Sequence, residues 1–177
     1  TNYGTMKGGT DGSGDGDAID VDGLLTLDNY GYVGGEGAQG YHDGEPNVSE
    51  GIAIGGGIIN NHAGGEIYGY GRAIEIDNSS NSDALGAAMI TNAGLIQGDG
   101  HPPDVASQED VAYFAARIKN GEAINIEGSF GDTLTNLATG RIIGGVKTHG
   151  GDDVLYNHGT MIATGGSAID LGDGNDQ

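Results

Sequence analysis

One short motif recurs six times along the chain and constrains its fold more than any other feature. The motif is Gly, any residue, one aliphatic residue, any residue, then Gly or Ala, and a clear copy runs from Gly159 to Ala163. The central aliphatic residues are Met6, Val33, Ile67, Ile96, Ile142 and Met161. An Asn precedes each first Gly by two or four residues, at Asn2, Asn29, Asn61, Asn92, Asn136 and Asn157. Such self-similarity predicts a solenoid in which each repeat stacks on the next.

Two further aliphatic patterns repeat in step with the motif. The first stands two residues before each later Asn, at Leu27, Ile59, Ile90, Leu134 and Leu155. The second is a short segment such as Ala73-Ile-Glu-Ile76, in which apolar and polar residues alternate as in a half-buried strand. In these segments we expect Ile19, Val21, Ile74, Ile76, Ile124, Ile126, Ile169 and Leu171 to point inward. We expect Asp20, Glu75, Asn125 and Asp170 to point outward.

These patterns together predict an all-β fold, a right-handed parallel β-helix of about six three-stranded coils. Glycine permits the positive φ that sharp corners require, and 38 of the 177 residues are Gly. The recurring Asn side chains are predicted to stack on one another as an amide ladder. A narrow aliphatic column is the only core that such a solenoid needs.

Four inserts are predicted to interrupt the bare coil. They span residues 9–17, 36–50, 77–88 and 99–120. The last contains the one short helical insert, from Val105 to Arg117, because Pro102-Pro103 bounds it and Ser107 with Asp110 resembles a capping box. We interpret residues 1–177 as a single β-helix domain and a fragment of a longer chain, since the repeat pattern is already under way at both ends.

The charge of the chain limits the kinds of molecule that it can bind. The net charge is −20, from 26 acidic and 6 basic residues. Such a surface repels DNA, RNA and anionic membranes, so no nucleic-acid partner is expected. The chain has no Cys, which excludes disulfides and thiol chemistry. It also has no apolar run long enough to span a bilayer, so we expect no direct membrane insertion by this segment.

The segment from Asn157-His-Gly-Thr-Met-Ile-Ala163 to Asp176 resembles the repeats of bacterial autotransporter passenger regions, as do residues 135–142 and Ala18-Ile-Asp-Val21. The resemblance covers nearly all of the chain except the inserts. It implies a right-handed parallel β-helix exported to the bacterial cell surface, where it acts as an extracellular structural or adhesive scaffold. The implied partners are a surface glycan or protein ligand, or other copies through the coil ends. The repeats specify architecture better than activity.

A calcium-stabilised extracellular module is the first alternative. Gly172-Asp-Gly-Asn-Asp176 and Gly150-Gly-Asp-Asp-Val-Leu155 resemble pieces of the Ca²⁺-binding nonapeptide of RTX proteins. Carboxylates and corner carbonyls are the oxygen ligands that Ca²⁺ prefers. The candidate ligands are Asp15, Asp17, Asp152, Asp153, Asp173 and Asp176. The competing interpretation is that Gly-Asp pairs form solvated turns, because the pieces occur once per coil instead of in consecutive nonapeptides.

A polysaccharide-degrading β-helix enzyme is the second alternative. Asp152-Asp153, Asn157-His158-Gly159 and Arg117-Ile-Lys119 resemble parts of the polygalacturonase signatures, but here the basic element precedes the acidic ones. Adjacent Asp residues on a strand point to opposite faces, which suits acid–base work on a glycosidic bond poorly. The sequence therefore favours a non-enzymatic role, and no catalytic residue is assigned.

The corner that carries most of the inserts is the predicted binding surface. Loops on a rigid scaffold commonly carry function, and aromatic residues mixed with carboxylates suit carbohydrate or protein contact. The residues concerned are Tyr41, His42, Asp43, Glu45, His101, Tyr113 and Phe114. The alternative is that these loops only pack against one another.

Overall fold

The computed structural model confirms a parallel β-helix. It describes residues 1–9, 14–37, 48–78, 83–99 and 121–177, together with the short segments 41–42 and 45–46. Three parallel sheets of six, six and five strands form the coils, and no helix occurs among these described residues. The predicted helix from Val105 to Arg117 and most of the four inserts lie outside them. The right-handed sense stays a prediction from the crossover preference.

Each of the first five coils contributes one strand to each sheet, and the last coil contributes strands to the first and second sheets. The first sheet contains β1 (Thr5–Gly8), β4 (Tyr32–Gly35), β9 (Glu66–Gly69), β12 (Leu95–Gly98), β15 (Arg141–Ile143) and β18 (Thr160–Ile162). The second contains β2 (Ile19–Val21), β7 (Glu50–Ile54), β10 (Arg72–Ile76), β13 (Glu122–Ile126), β16 (Gly145–Lys147) and β19 (Ile169–Asp170). The third contains β3 (Leu25–Asn29), β8 (Gly57–Asn61), β11 (Ala88–Asn92), β14 (Thr133–Asn136) and β17 (Val154–Asn157). A separate antiparallel pair is formed by β5 (Tyr41–His42) and β6 (Glu45–Pro46).

The aliphatic columns are stacked in the predicted register. Along the first sheet the pairs run in order through Met6, Val33, Ile67, Ile96, Ile142 and Met161. Along the third sheet they run through Leu27, Ile59, Ile90, Leu134 and Leu155. Ile67 and Ile96, in the middle coils, are fully buried, whereas Met6 in the first coil is 37% exposed. The interior is therefore a thin column that neighbouring coils cover for one another.

The Asn residues form the predicted ladder along the edge of the third sheet. Each Nδ2 donates to the Oδ1 of the Asn in the next coil at 2.8 or 2.9 Å, from Asn2 through to Asn157. Asn61 also donates to the carbonyl oxygen of Leu95 at 3.0 Å, and Asn92 accepts from the Gly94 amide at 3.2 Å. The ladder thus satisfies buried polar groups and joins successive coils through side chains as well as backbone.

The second sheet confirms the predicted alternation in its middle coils. Ile74, Ile76, Ile124 and Ile126 are buried. Val21 and Ile169 belong to the first and last strands of this sheet and are 36% and 40% exposed, because only one neighbouring coil covers them. Strand β16 was not predicted, and its buried Val146 pairs with Ile124 to continue the column. No helix with the length and apolar character of a membrane span occurs in the described ranges.

Candidate functional site

A cavity of about 400 Å³ lies against strands β2, β7 and β10 of the second sheet. Its lining is dominated by carboxylates and contains a single basic residue, Arg72. The acidic lining residues are Asp15, Asp17, Asp20, Asp22, Glu50, Glu75 and Asp77. Concave sites with convergent ionisable groups are the usual places to look for ligand binding or chemistry. We therefore take this carboxylate cavity as the candidate functional site.

Asp17 and Glu50 lie next to each other in one wall of the cavity. The Asp17 Oδ1 accepts a hydrogen bond from the Glu50 backbone amide at 2.7 Å, and the two side chains also bond to each other. The pKa of Asp17 is raised to about 7, chiefly by burial and to a smaller extent by the charge of Asp15. The hydrogen bond from the Glu50 backbone amide opposes this rise. Burial, followed by the charges of Asp17 and Glu75, raises the pKa of Glu50 well above its usual value. Burial thus favours the protonated form of Glu50, whose side chain bonds to Asp17.

Arg72 links two carboxylates across neighbouring strands. Its Nη1 lies 2.8 Å from Glu75 Oε2, and its Nε lies 3.0 Å from Glu122 Oε2. Burial opposes the charged form, but Glu75, Glu122 and Glu50 together hold the pKa of Arg72 above its usual value. Burial raises the pKa of Glu75 to about 7, and Arg72 opposes that rise. The guanidinium therefore stays charged while Glu75 titrates near neutrality.

The network continues away from the cavity through Asn125. Its Nδ2 donates to Glu75 Oε1 at 2.8 Å and to Glu127 Oε1 at 3.0 Å. Its Oδ1 lies 3.0 Å from His149 Nε2, which is also 3.1 Å from Glu127 Oε1. Because both partners accept, the His149 Nε2 carries a proton. Burial lowers the pKa of His149, which also adopts the positive φ of 57° at its corner.

Two residues of this network refine the expectation for the outward positions. Glu75 and Asn125 lie in register with each other on the side away from the aliphatic column, as predicted. Ala53 separates Glu75 from Asp20 in the same register. Nevertheless, Glu75 is only 8% exposed and Asn125 only 1%. Facing away from the core thus does not place these two side chains in solvent, which explains why burial dominates the pKa of Glu75.

The six predicted calcium ligands are not gathered into one site. Asp15 and Asp17 belong to the first half of the chain, at the cavity, whereas the others lie in the last two coils. Asp15 accepts from the amide of Gly16, and Asp152 accepts from the backbone amide of Asn175 at 3.0 Å. Asp173 pairs through its backbone with Gly150. Within the described ranges, no group of three or more His, Asp or Glu side chains is arranged to hold a metal ion.

Asp153 and Asp176 belong to a column of inward Asp side chains that was not predicted. Asp132 Oδ1 accepts from the Ala88 amide at 2.7 Å, Asp153 Oδ1 from the Asp132 amide at 2.8 Å, and Asp176 Oδ1 from the Asp153 amide at 3.0 Å. Burial raises the pKa of Asp132 to about 6, and the charge of Asp153 adds to this effect. The sequence signal was present, because Asp132 and Asp153 each stand two residues before an inward Leu.

Three of the other predicted site residues lie in a separate pair of strands. Tyr41 and His42 lie in β5, and Glu45 lies in the paired strand β6. Asp43, His101, Tyr113, Phe114, Arg117 and Lys119 lie outside the described residues. His158, from the polygalacturonase-like motif, is exposed at a corner, while Asp153 is buried and bonded to backbone. The described part of the chain therefore does not bring the acidic and histidine elements of that motif together.

Comparison of the chain with protein-family models, with curated proteins and with solved structures gives no match. The resemblance to autotransporter passengers and to RTX repeats accordingly rests on the repeat motifs.

Proposed function

We propose that this chain is a rigid scaffold exported to the outside of a bacterium, with a structural or adhesive role. The asparagine ladder carries the proposal. It runs from Asn2 to Asn157 without interruption, so each coil is fixed to its neighbours by a side-chain hydrogen bond as well as by three sheets. A solenoid of this kind displays loops and side walls at fixed spacing, which suits adhesion or assembly.

Charge and coil ends support the same role. A net charge of −20 disfavours side-by-side contact between copies and leaves the coil ends as the places for association. The edge strands β1 and β18 present backbone groups that a further coil can pair with. Self-association through coil ends is therefore part of the proposal, beside binding of a surface glycan or protein.

Immunolabelling of the source cells tests the proposal. Antibodies raised against residues 1–177 should label intact cells, and brief protease treatment of intact cells should remove the label. A cytoplasmic marker should be labelled only after permeabilisation, which controls for lysis. Labelling of this chain only in permeabilised cells would contradict export. Beads coated with the purified chain should cluster or attach to a host surface, whereas beads coated with its unfolded form should not.

Acid–base chemistry on a glycan is a second candidate, favoured by the carboxylate cavity. Burial raises the pKa of Glu50 well above its usual value and the pKa values of Glu75 and Asp17 to about 7, all within one cavity. Carboxyl groups with opposite protonation near the working pH are what general acid and general base catalysis require. Reducing-end release from neutral and acidic polysaccharides tests this candidate.

The variants for that assay follow from the geometry. E50Q and E75Q should each lower product release about 100-fold, the usual contribution of a general acid or base. D170N, on the same sheet but outside the cavity lining, is the matched control and should leave the rate unchanged. Equal rates in all three variants, or no product with the unmodified chain, would count against this candidate.

A further inference from the structure

A second cavity of about 400 Å³ lies on the outer face of the first sheet. It is lined by Tyr32, Glu36, Glu66, Tyr68 and Tyr70. On β4, a side chain at Gly34 would collide with the Tyr32 ring, so the absence of one lets that ring lie along the strand. Gly34 is in register with Tyr68 on β9, which places the Tyr32 ring beside Tyr68.

The hydroxyl groups of two of these tyrosines donate hydrogen bonds to carboxylates. The Tyr32 hydroxyl donates to Glu36 Oε1 at 2.8 Å, and the Tyr68 hydroxyl donates to Asp99 Oδ2 at 2.8 Å. Burial, followed by these hydrogen bonds, raises the pKa of both phenols. The rings therefore stay neutral and fixed, and their hydrogen-bonded carboxylates increase the negative potential of the cavity wall.

The ammonium group of Lys7 contacts two of the residues that line this cavity. Its Nζ lies 5.5 Å from the centroid of the Tyr32 ring and 2.7 Å from Glu36 Oε1. Tyr32 and Glu36, which line the cavity, thus contact one ammonium group through an aromatic ring and a carboxylate, which is the arrangement of a cation–π site.

Glu66 supplies a second carboxylate, which forms no ion pair with any residue that the structure describes. It lies on β9 in register with Tyr32 and two residues before Tyr68, so all three side chains share the outer face. Within the part of the chain that the structure describes, no group donates a hydrogen bond or forms an ion pair with the Glu66 side chain. The cavity therefore repeats the combination of tyrosine and carboxylate that Lys7 occupies, in a position that a ligand can fill.

We propose that this tyrosine cavity binds an organic ammonium cation, held between the Tyr68 ring and the Glu66 carboxylate. Anions are excluded by the surrounding carboxylates and by the net charge of −20. A neutral sugar would stack on the rings but would leave the Glu66 charge uncompensated. The shared chemistry is an ammonium group beside aliphatic carbon, as in a lysine side chain or a quaternary choline headgroup.

Titration with choline and its uncharged isostere 3,3-dimethylbutan-1-ol tests the proposal. The ring resonances of ¹³C-labelled tyrosine report on the cavity, and Tyr→Phe variants assign them. At matched ionic strength, choline should shift the Tyr68 resonance saturably, and the uncharged isostere should not. A lysine peptide titrated in parallel distinguishes a lysine side chain from a choline headgroup as the source of the ammonium group. The cation that binds with the higher affinity is the better mimic of the natural ligand.

Matched variants distinguish the loss of a ligand contact in the cavity from a loss of folding. E66Q should weaken choline binding about fivefold to tenfold, as expected for loss of a carboxylate beside a cation–π contact. Tyr68→Leu should weaken it further, whereas Tyr156→Leu, at an exposed tyrosine on the third sheet, should not. Circular dichroism checks that each variant is folded. Equal responses to choline and the isostere, unchanged affinity in E66Q, or no shift with either cation at about 50 mM would overturn the proposal.

Discussion

The Asp153 carboxylate accepts a hydrogen bond from the backbone amide of Asp132 at 2.8 Å, while its second oxygen is buried and has no partner among the described residues. Asp132 repeats the arrangement with Ala88, and Asp176 repeats it with Asp153. Acidic side chains thus point inward at the corner before the third sheet, where they satisfy backbone amides. Asp153 and Asp176, which belong to the segments that resemble calcium-binding repeats, thus accept hydrogen bonds from the backbone of the neighbouring coil.

Two substitutions of Asp153 distinguish the effect of its hydrogen bond on stability from the effect of its charge on the pKa of Asp132. D153A leaves the buried Asp132 amide without an acceptor and should lower the free energy of unfolding by about 1–3 kcal/mol. D153N keeps an acceptor oxygen, so its loss should be smaller. D153N also removes the charge that raises the pKa of Asp132, which should fall below about 6. Urea unfolding and carboxyl ¹³C NMR measure the two effects. Equal destabilisation by both variants would contradict this role.

The stability of the protein should fall as the pH rises from about 4 to about 8. The pKa of Glu75 is about 7 in the folded state against a usual 4.5, so the folded state binds more protons than the unfolded state over this interval. The stabilisation is complete below the unfolded pKa and is lost as the pH rises through 7. For Glu75 alone the change is on the order of 3 kcal/mol. Asp17 acts in the same direction.

E75Q is the control for this pH dependence. Unfolding free energies of E75Q and of the unmodified chain should converge at acid pH and separate as the pH rises, because the variant has no charge to bury. Denaturant titrations at about pH 5 and about pH 8 give the comparison. Identical slopes of stability against pH in the two proteins would show that Glu75 does not titrate as described.

Arg72→Met should be strongly destabilising in alkaline solution. It removes the cation between Glu75 and Glu122, and breaking a buried ion pair on one side costs about 3–5 kcal/mol. The loss should be smaller at acid pH, since Glu75 can then take up a proton. Lys147→Met, on the same sheet, is a control of the same charge change and should cost less. Thermal unfolding of the two variants in acid and in alkaline solution tests this expectation.

The aliphatic columns and the asparagine ladder could be predicted because they depend on patterns within each repeat. The aliphatic residue of the motif, such as Ile67, stands two residues after its Gly in every coil, and an Asn such as Asn61 stands two or four residues before that Gly, so register follows from the motif. Strand β16 could not be found in this way, because Gly145-Val-Lys147 contains one aliphatic residue and therefore no alternation.

The carboxylate cavity could not be predicted, because its contacts cross between coils of unequal length. Arg72 and Glu122, which form an ion pair, are separated by 50 positions. Which residues meet depends on the intervening insert, 99–120, whose length no local pattern sets. The spacing of Arg72 and Glu75 was visible, but the burial that shifts the pKa of Glu75 was not.

Removal of divalent cations distinguishes the scaffold from a calcium-stabilised module. Since the Asp153 and Asp176 carboxylates accept backbone hydrogen bonds, the scaffold account expects the strand signal in circular dichroism to persist in excess chelator. Loss of that signal, restored by added Ca²⁺, would favour the calcium-stabilised module. Mg²⁺ at the same concentration controls for a general effect of divalent charge, because Mg²⁺ and Ca²⁺ differ in the coordination they accept.

The central claim is that the asparagine ladder locks the coils into one rod, and two consecutive residues of β8 test it most directly. Asn61 is 1% exposed and bonds to Asn29 and Asn92, whereas the adjacent Asn60 is half-buried and donates to Asp28 at 3.1 Å. The measurement is the free energy of unfolding of N61A and N60A in denaturant. The account predicts a loss of about 2–4 kcal/mol for N61A and below about 1 kcal/mol for N60A. Equal losses, or no loss in N61A, would contradict it.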